Sequence, residues 1–437
     1  MFWCVRKLSL FAVISVVLSA GLSGCGSATE NNRAQNTASE SHVAQPSASA
    51  SQTHTSAAPK PVTSIPGTEL KDTVRALGTV FTPCPSGPKF AAPKVLDLAT
   101  GKFDTPAAPT EVPAGTKLLF ATCTLTGTPE DLKVLYLWQY ETPAAGLTPA
   151  SNTVMGAVTG VHDTAPLQPV DLSAQAPVMG DGAKLLPTSG GAVLKVGYGC
   201  KVCTVGFDPN APRVNWTSEH DAFGSDESSV AFQDIMNNVV TIRDVATGQD
   251  TVFNNVFLTD NAKGAHDSGY LIVQKGGLGD WTWGYYSTVA KRLFDNVYTA
   301  NNRPSITVRD GRALLESKNL LRLINISTGD VEFEVTQADL NTLNSYQFSH
   351  FGNDLYVKNQ NDSPVLDIKT RQRLSAGWKV RPSEWINPSW LLIDHRNTGV
   401  GECFNGFASY DCAGNDIQPN DFVLTKVEGG SYTGPMF

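Results

Sequence analysis

Four segments of the chain repeat one short turn between two apolar stretches, and this repeat limits the possible fold more than any other feature. Each turn begins with Asp or Asn and has a Thr three residues later. The Asp or Asn side chain can accept backbone N–H groups of the turn, and Gly adopts a positive φ at no steric cost. The first and last residues of these turns are Asp97 and Gly101, Asp244 and Gly248, Asn325 and Gly329, and Asp367 and Arg371. The pattern predicts an antiparallel strand pair at each turn, and therefore an all-β fold.

Weaker copies of the turn lie around Glu141, Asp208, Ser287 and Asp411. Most successive copies are about 40 residues apart, a spacing typical of β-propeller blades. We therefore predict a single β-propeller of eight, alternatively seven, four-stranded blades, with a strand in residues 421–430 closing the ring. A pair of β-sandwiches or a solenoid with similar turns is the alternative fold.

The repeated turn resembles that of the PQQ-type and related bacterial propeller families, whose blades carry D-x-x-T-G between their outer strands. The resemblance covers roughly residues 75 to 430 and implies the propeller fold. In the quinoprotein family a Trp often follows the turn, whereas this chain has Phe103, Val252 and Phe333 there. The adjacent Cys-Cys pair of quinone sites and a WD dipeptide pattern are also missing from the sequence. The resemblance therefore extends to the fold and not to cofactor or catalytic residues.

The chain begins with the features of an exported lipoprotein. Arg6 and Lys7 precede an apolar run over residues 8–18, which is too short to span a bilayer and is typical of a secretory signal. The stretch that ends at Cys25 (LSGC) resembles the bacterial lipobox, which implies cleavage before Cys25 and attachment of lipid to its thiol. We predict a signal peptide over residues 1–24. A soluble secreted protein or an uncleaved membrane helix is the alternative.

Residues 25–66 are rich in Ser, Thr, Ala, Pro, Asn and Gln, with almost no large apolar side chains. Such a segment cannot bury enough surface to offset its ordering entropy. We predict a lipidated, disordered tether over residues 25–66, with the propeller over residues 67–437. The predicted location is the extracytoplasmic face of the cell membrane, where the lipid holds the protein.

Six cysteines remain after the signal peptide and the lipidation site are set aside: Cys84, Cys123, Cys200, Cys203, Cys403 and Cys412. An even number of cysteines in an exported chain predicts three disulfides. Proximity in sequence favours Cys200–Cys203 and Cys403–Cys412, which leaves Cys84 to pair with Cys123.

Trp281, Trp283 and Trp385 lie in the two most aromatic stretches of the chain. They form a possible ligand platform for sugars or a partner protein at one mouth of the propeller. Packing between neighbouring blades is the alternative role. No motif assigns a catalytic residue or a metal site, and no cofactor is predicted.

The chain has a net charge of -8 and no basic stripe with interleaved aromatic residues, so a nucleic-acid partner is not expected. We interpret it as a membrane-anchored extracytoplasmic lipoprotein whose propeller is a non-catalytic binding or scaffold module for an envelope protein or saccharide. One alternative is a propeller enzyme, either a quinone-dependent dehydrogenase using PQQ or calcium, or a lyase or hydrolase acting on envelope sugars. The other is a sensory accessory of a membrane kinase.

Overall fold

The computed structural model describes residues 62–427 with gaps, and these residues are almost entirely β-strand. Outside the description lie residues 1–61, 181, 198–199, 263–268, 276–280, 300–304, 310, 318–319, 337–344, 360–363, 376–380, 388, 395–401, 405–408, 412–421 and 428–437. The chain divides into two units, Met1–Ala58 and Pro59–Phe437, and all the described residues belong to the second. Helix in the described residues consists of one 3₁₀ turn, Gly67–Leu70.

Strand β1 spans Ser64–Pro66, and the strands that follow it form antiparallel sheets in chain order. Sheet 1 contains β2 (Val74–Ala76), β3 (Thr79–Thr82), β4 (Lys94–Asp97) and β5 (Lys102–Asp104). Sheet 2 contains β6 (Lys117–Thr128), β7 (Asp131–Thr142), β8 (Ser151–Gly160) and β9 (Val170–Asp171). Sheet 3 contains β10 (Lys184–Thr188), β11 (Gly191–Lys195), β12 (Thr204–Phe207) and β13 (Val214–Ser218). A parallel contact between β6 and β10 joins sheets 2 and 3 into one eight-stranded sheet.

Four more four-stranded sheets continue the same order. Sheet 4 contains β14 (Ala222–Ser225), β15 (Ser229–Asp234), β16 (Val239–Asp244) and β17 (Asp250–Asn254). Sheet 5 contains β18 (Phe257–Ala262), β19 (Gly269–Lys275), β20 (Trp281–Ser287) and β21 (Arg292–Thr299). Sheet 6 contains β22 (Ser305–Arg309), β23 (Arg312–Ser317), β24 (Leu320–Asn325) and β25 (Val331–Thr336). Sheet 7 contains β26 (Ser345–Phe351), β27 (Asp354–Asn359), β28 (Val365–Asp367) and β29 (Arg373–Ser375).

The last sheet is completed by the first strand. Sheet 8 contains β30 (Arg381–Asn387), β31 (Trp390–Asp394), β34 (Phe422–Lys426) and β1, with β34 between β31 and β1. A separate hairpin, β32 (Glu402–Phe404) and β33 (Ser409–Asp411), precedes β34. Ile65 of β1 pairs with Leu424 and is only 3% exposed. The folded body therefore starts before residue 67, inside the stretch predicted as tether, because an apolar residue there completes a buried sheet.

Buried apolar clusters lie between every pair of consecutive sheets, and one more lies between sheet 8 and sheet 1. Strand β24 shows why these sheets need apolar residues on both faces. Its Leu321 and Leu323 pack against sheet 7, whereas Ile324 packs against sheet 5. This cyclic packing of small antiparallel sheets is that of a β-propeller.

The four strongest repeat turns adopt one geometry. In each, the backbone N–H of the last residue donates to the carbonyl oxygen of the first at 2.8 Å. The Asp or Asn side chain accepts backbone N–H groups within the turn, as Asp97 Oδ1 does from Ala99 N at 2.8 Å. The last residues all have positive φ, namely Gly101 (68°), Gly248 (70°), Gly329 (82°) and Arg371 (58°).

The structure contains two of the three disulfides suggested by the spacing. Cys200–Cys203 lies in the connection between β11 and β12, and Cys84–Cys123 links sheet 1 to β6. Cys403 lies on β32, but its side chain and all of Cys412 are outside the described residues. The Cys403–Cys412 pairing stays a prediction.

Candidate ligand-binding cavity

A cavity of about 650 Å³ lies against the first strands of sheets 1 to 4, which are β2, β6, β10 and β14. First strands of neighbouring sheets contact each other at several junctions of the ring, as β6 does with β10, and the first strand of sheet 4 with that of sheet 5, so this cavity lies on its inner side. Its volume is within the range of small-molecule sites, which is about 300–1,000 Å³. The remaining wall comes from the segment after β3, the turn after β14 and Ile386 of β30.

Glu227 closes the cavity at the end where the first strands finish. Its Oε1 accepts a hydrogen bond from Leu77 N of sheet 1 at 3.1 Å. Its backbone oxygen accepts from Ser189 N at 2.6 Å and from Ser189 Oγ at 2.7 Å. The turns that follow the first strands of sheets 1, 3 and 4 are therefore joined through one residue.

Strands β6 and β10 diverge from this same end toward their starts. The two strands pair only at Thr126 and Thr188, where Thr126 Oγ1 also donates to Thr188 O at 3.1 Å. The preceding parts of both strands line the cavity instead of pairing. Arg75 of β2 and Lys184 of β10 are exposed lining residues. The lining thus includes two cationic side chains from different sheets.

The Cys84–Cys123 disulfide forms part of the cavity wall. It fixes the segment after β3 to the inner edge of β6. Two backbone hydrogen bonds add to this attachment, Gly87 N to Ala121 O at 3.0 Å and Ala121 N to Gly87 O at 2.7 Å. Of the residues singled out in the sequence, Cys84 and Cys123 line the cavity, although nothing in the sequence connected them with a binding site.

Threonine hydroxyls supply much of the polar lining. Thr122 Oγ1 lies 3.0 Å from Ser86 Oγ, so the two hydroxyls satisfy each other. Thr124 is 4% exposed and lines the cavity, yet its hydroxyl makes no hydrogen bond within the described part of the chain. This hydroxyl is not among the fully enclosed polar atoms that lack a partner, so Thr124 is a lining group that a ligand can reach.

Asp226 is a buried carboxyl in the turn after β14. Its Oδ1 accepts hydrogen bonds from Ser228 N at 2.8 Å and from Ser229 N at 2.6 Å. Ser229 Oγ lies 3.0 Å from that Oδ1 and 3.0 Å from the hydroxyl of Tyr270 in sheet 5. Burial raises the pKa of the Asp226 carboxyl, and the hydrogen bonds from Ser228 and Ser229 oppose that rise. The nearby Thr288 hydroxyl also opposes the rise in the pKa of Asp226. The other carboxyl oxygen of Asp226, Oδ2, has no hydrogen-bond partner of ordinary geometry.

Trp281 and Trp283 of the predicted aromatic platform are not among the residues that line this cavity. Trp283 is 4% exposed and packs in the cluster between sheets 5 and 6. Trp281 is half-buried, with its ring edge-on to Phe257 at 6.5 Å between centroids. The side chain of Trp385, like the whole of Cys25, is outside the described residues. The packing between sheets, which was the alternative reading of these residues, accounts for the position of Trp283.

The described residues contain no group of three or more His, Cys, Asp or Glu side chains arranged to hold a metal ion. None of their helices is long and apolar enough to cross a bilayer.

No protein-family model matches the chain, and no curated protein is significantly similar to it in sequence. Among solved structures, Saccharomyces cerevisiae Sqt1 is 9% identical, with a TM-score of 0.32 over 84% of this chain and 98% of that chain. Apo AztD from Citrobacter koseri is 12% identical, with a TM-score of 0.29 over 68% of this chain and 94% of that chain. Similarity at this level carries no argument about function, and the fold assignment rests on the sheets of this chain.

Proposed function

We propose that the chain is a lipid-anchored, extracytoplasmic binding protein built as a single eight-bladed propeller, with no catalytic role. Sheets 1 to 8 are its blades, and β1 closes the ring. Cys25 carries the lipid, and the residues between Cys25 and β1 are the tether. The signal-like start, the lipobox resemblance and the cyclic packing of the sheets support this proposal.

The cavity beside β2, β6, β10 and β14 is the ligand site in this proposal. The observation that carries it is a space of about 650 Å³ that Glu227 closes at one end and that β6 and β10 line where they diverge from that end. Such a concave site, mostly apolar with a few polar groups, is the usual form of a small-molecule site. The ligand or partner comes from the cell envelope, as a saccharide, another small molecule or a protein that presents such a group.

The ligand site is tested by purifying the full chain from its own cells and identifying small molecules released on denaturation by mass spectrometry. Thr124→Phe places a ring in the cavity and should abolish the released species. Thr128→Phe is the matched control, because Thr128 is an exposed residue of the same strand outside the cavity lining. Melting temperatures of both variants check that they are folded. No released molecule from the natural chain, or equal release from folded Thr124→Phe, contradicts the proposal.

The anchor is tested separately by cell fractionation. Cys25→Ala should move the protein out of the membrane fraction, because no other lipid attachment is proposed. Ser27→Ala, two residues further on, is the control and should remain with the membrane. Unchanged membrane retention of Cys25→Ala contradicts the lipid anchor and leaves the cavity proposal standing.

A further inference from the structure

Lys184 and Arg75 and a larger set of apolar side chains line the cavity. We propose that it recognises an organic acid, a carboxylate or phosphate monoester on an apolar body, with the anionic group beside Lys184. This inference rests on the proposed function, because it names the chemistry of the ligand for that same site.

Lys184 is the group that most favours an anion. It lines the cavity and forms no ion pair with any described residue. Arg75 of β2 also lines the cavity, but it already interacts with another group. Charge-assisted hydrogen bonds from such groups to carboxylate or phosphate are stronger than neutral ones.

The two carboxyl groups of the lining do not cancel this preference. Glu227 lies at the closed end, where its Oε1 accepts the hydrogen bond from Leu77 N. Asp226 is buried, and its Oδ1 is already bonded to Ser228 and Ser229. Burial raises the pKa of the Asp226 carboxyl.

The interior of the cavity fits an apolar body that also carries an oxygen. Phe81 and Leu185 line it and are 1% and 7% exposed, and Leu186 and Ile386 line it as well. Thr124 adds a lining hydroxyl that makes no hydrogen bond to a described residue. An oxygen of the ligand would accept a hydrogen bond from it.

A matched pair of probes tests the inference: 1-naphthoate and its neutral counterpart 1-naphthamide. Both are titrated calorimetrically into the full chain, purified in one nonionic detergent. The acid should bind at least about fivefold more tightly than the amide, and only the affinity of the acid should fall with added salt. 1-Naphthyl phosphate, titrated in the same way, distinguishes the two anions, since the tighter of the two acids identifies the preferred group.

Variants then locate the charge preference. Lys184→Met should weaken binding of the acid about fivefold and leave the amide within about twofold. Lys102→Met, an exposed lysine on the outer strand β5, is the control and should change neither affinity. Amide binding as tight as that of the acid, or an unchanged acid affinity in Lys184→Met, overturns the inference while the cavity remains a ligand site. Failure of all three probes to bind overturns the inference and also counts against the cavity as a small-molecule site.

Discussion

At Gly329 the backbone has a φ of 82°, and a Cβ added there would lie 2.6 Å from Cδ1 of Phe294 in the preceding sheet. The glycine is therefore required twice, once by the turn and once by the neighbouring ring. The turn itself was predictable, because Asp or Asn followed by Thr and Gly uses only local chemistry. The contact with Phe294 was not, since it depends on how two sheets meet.

Gly329→Ala should lower the free energy of unfolding by about 2–4 kcal/mol. The left-handed backbone costs an Ala about 1–2 kcal/mol, and the clash adds to it. Gly115→Ala is the control, because Gly115 has a φ of 79° with nothing within 4 Å of an added Cβ. Urea denaturation of both variants measures the difference. Equal losses would show that Phe294 moves aside freely.

Glu316 of β23 is a second position where one residue affects the whole fold. Burial raises the pKa of its carboxyl to about 7, against an ordinary value of 4.5. The folded state therefore holds this proton more strongly than the unfolded state does, and stability falls as the pH rises from about 4.5 to about 7.

Glu316→Gln should remove this loss. At pH 8 the variant should be more stable than the natural chain by up to about 3 kcal/mol, since each pKa unit corresponds to about 1.4 kcal/mol. At pH 4 the two should be equally stable. Urea unfolding at a series of pH values measures this, with Glu130→Gln in the exposed β6–β7 turn as the control. A constant difference between Glu316→Gln and the natural chain across the series contradicts the prediction.

The two described disulfides join cysteines that are separated by very different lengths of chain. Cys84 and Cys123 are 39 residues apart in sequence and join two sheets, whereas Cys200 and Cys203 are 3 apart within one connection. In the loop-entropy account, a crosslink stabilises more when it closes a longer loop. The pairings followed from spacing and elimination, but the role of one pair as a cavity wall did not.

Removing the Cys84–Cys123 disulfide should therefore lower the free energy of unfolding more than removing Cys200–Cys203. The double variant Cys84→Ala/Cys123→Ala should lose about 4 kcal/mol of unfolding free energy, and Cys200→Ala/Cys203→Ala about 2 kcal/mol. Urea unfolding under oxidising conditions measures both losses, and the second variant is the control for loss of a disulfide as such. Equal losses would contradict the loop-length explanation.

At the scale of the whole molecule, the repeat predicted the propeller architecture but not the cavity. The turns recur every 40 residues or so, and a periodic signal can be read without knowing any distant contact. Thr124 and Lys184 carry no such signal, because each is an ordinary strand residue until β6 and β10 diverge beside it. The aromatic residues were conspicuous in sequence, yet Trp283 is used for packing between sheets.

Ring closure depends on three residues of β1, far from their partners in sequence. Ile65 pairs with Leu424 of β34 and packs against Val80 and Leu96 of sheet 1. A strand that closes a ring stabilises the sheets on both sides of it. Its loss should therefore lower the stability of the whole cooperative unit and not only that of the strand. Sheet 1 and sheet 8 are held together largely through this cluster.

Ile65→Ala should lower the free energy of unfolding by about 2–5 kcal/mol, the usual cost of this truncation in a core. Ser64→Ala, at an exposed position of the same strand, should stay within about 0.5 kcal/mol of the natural chain. Urea unfolding gives the global loss, and hydrogen exchange at the β34 amides reports on the strand alone. If β1 could unfold separately from the rest of the body, Ile65→Ala would speed hydrogen exchange in β34 and leave the midpoint of urea unfolding unchanged. If β1 closes the ring, the midpoint falls and exchange accelerates in sheets 1 and 8 together, because opening one interface frees both of its faces.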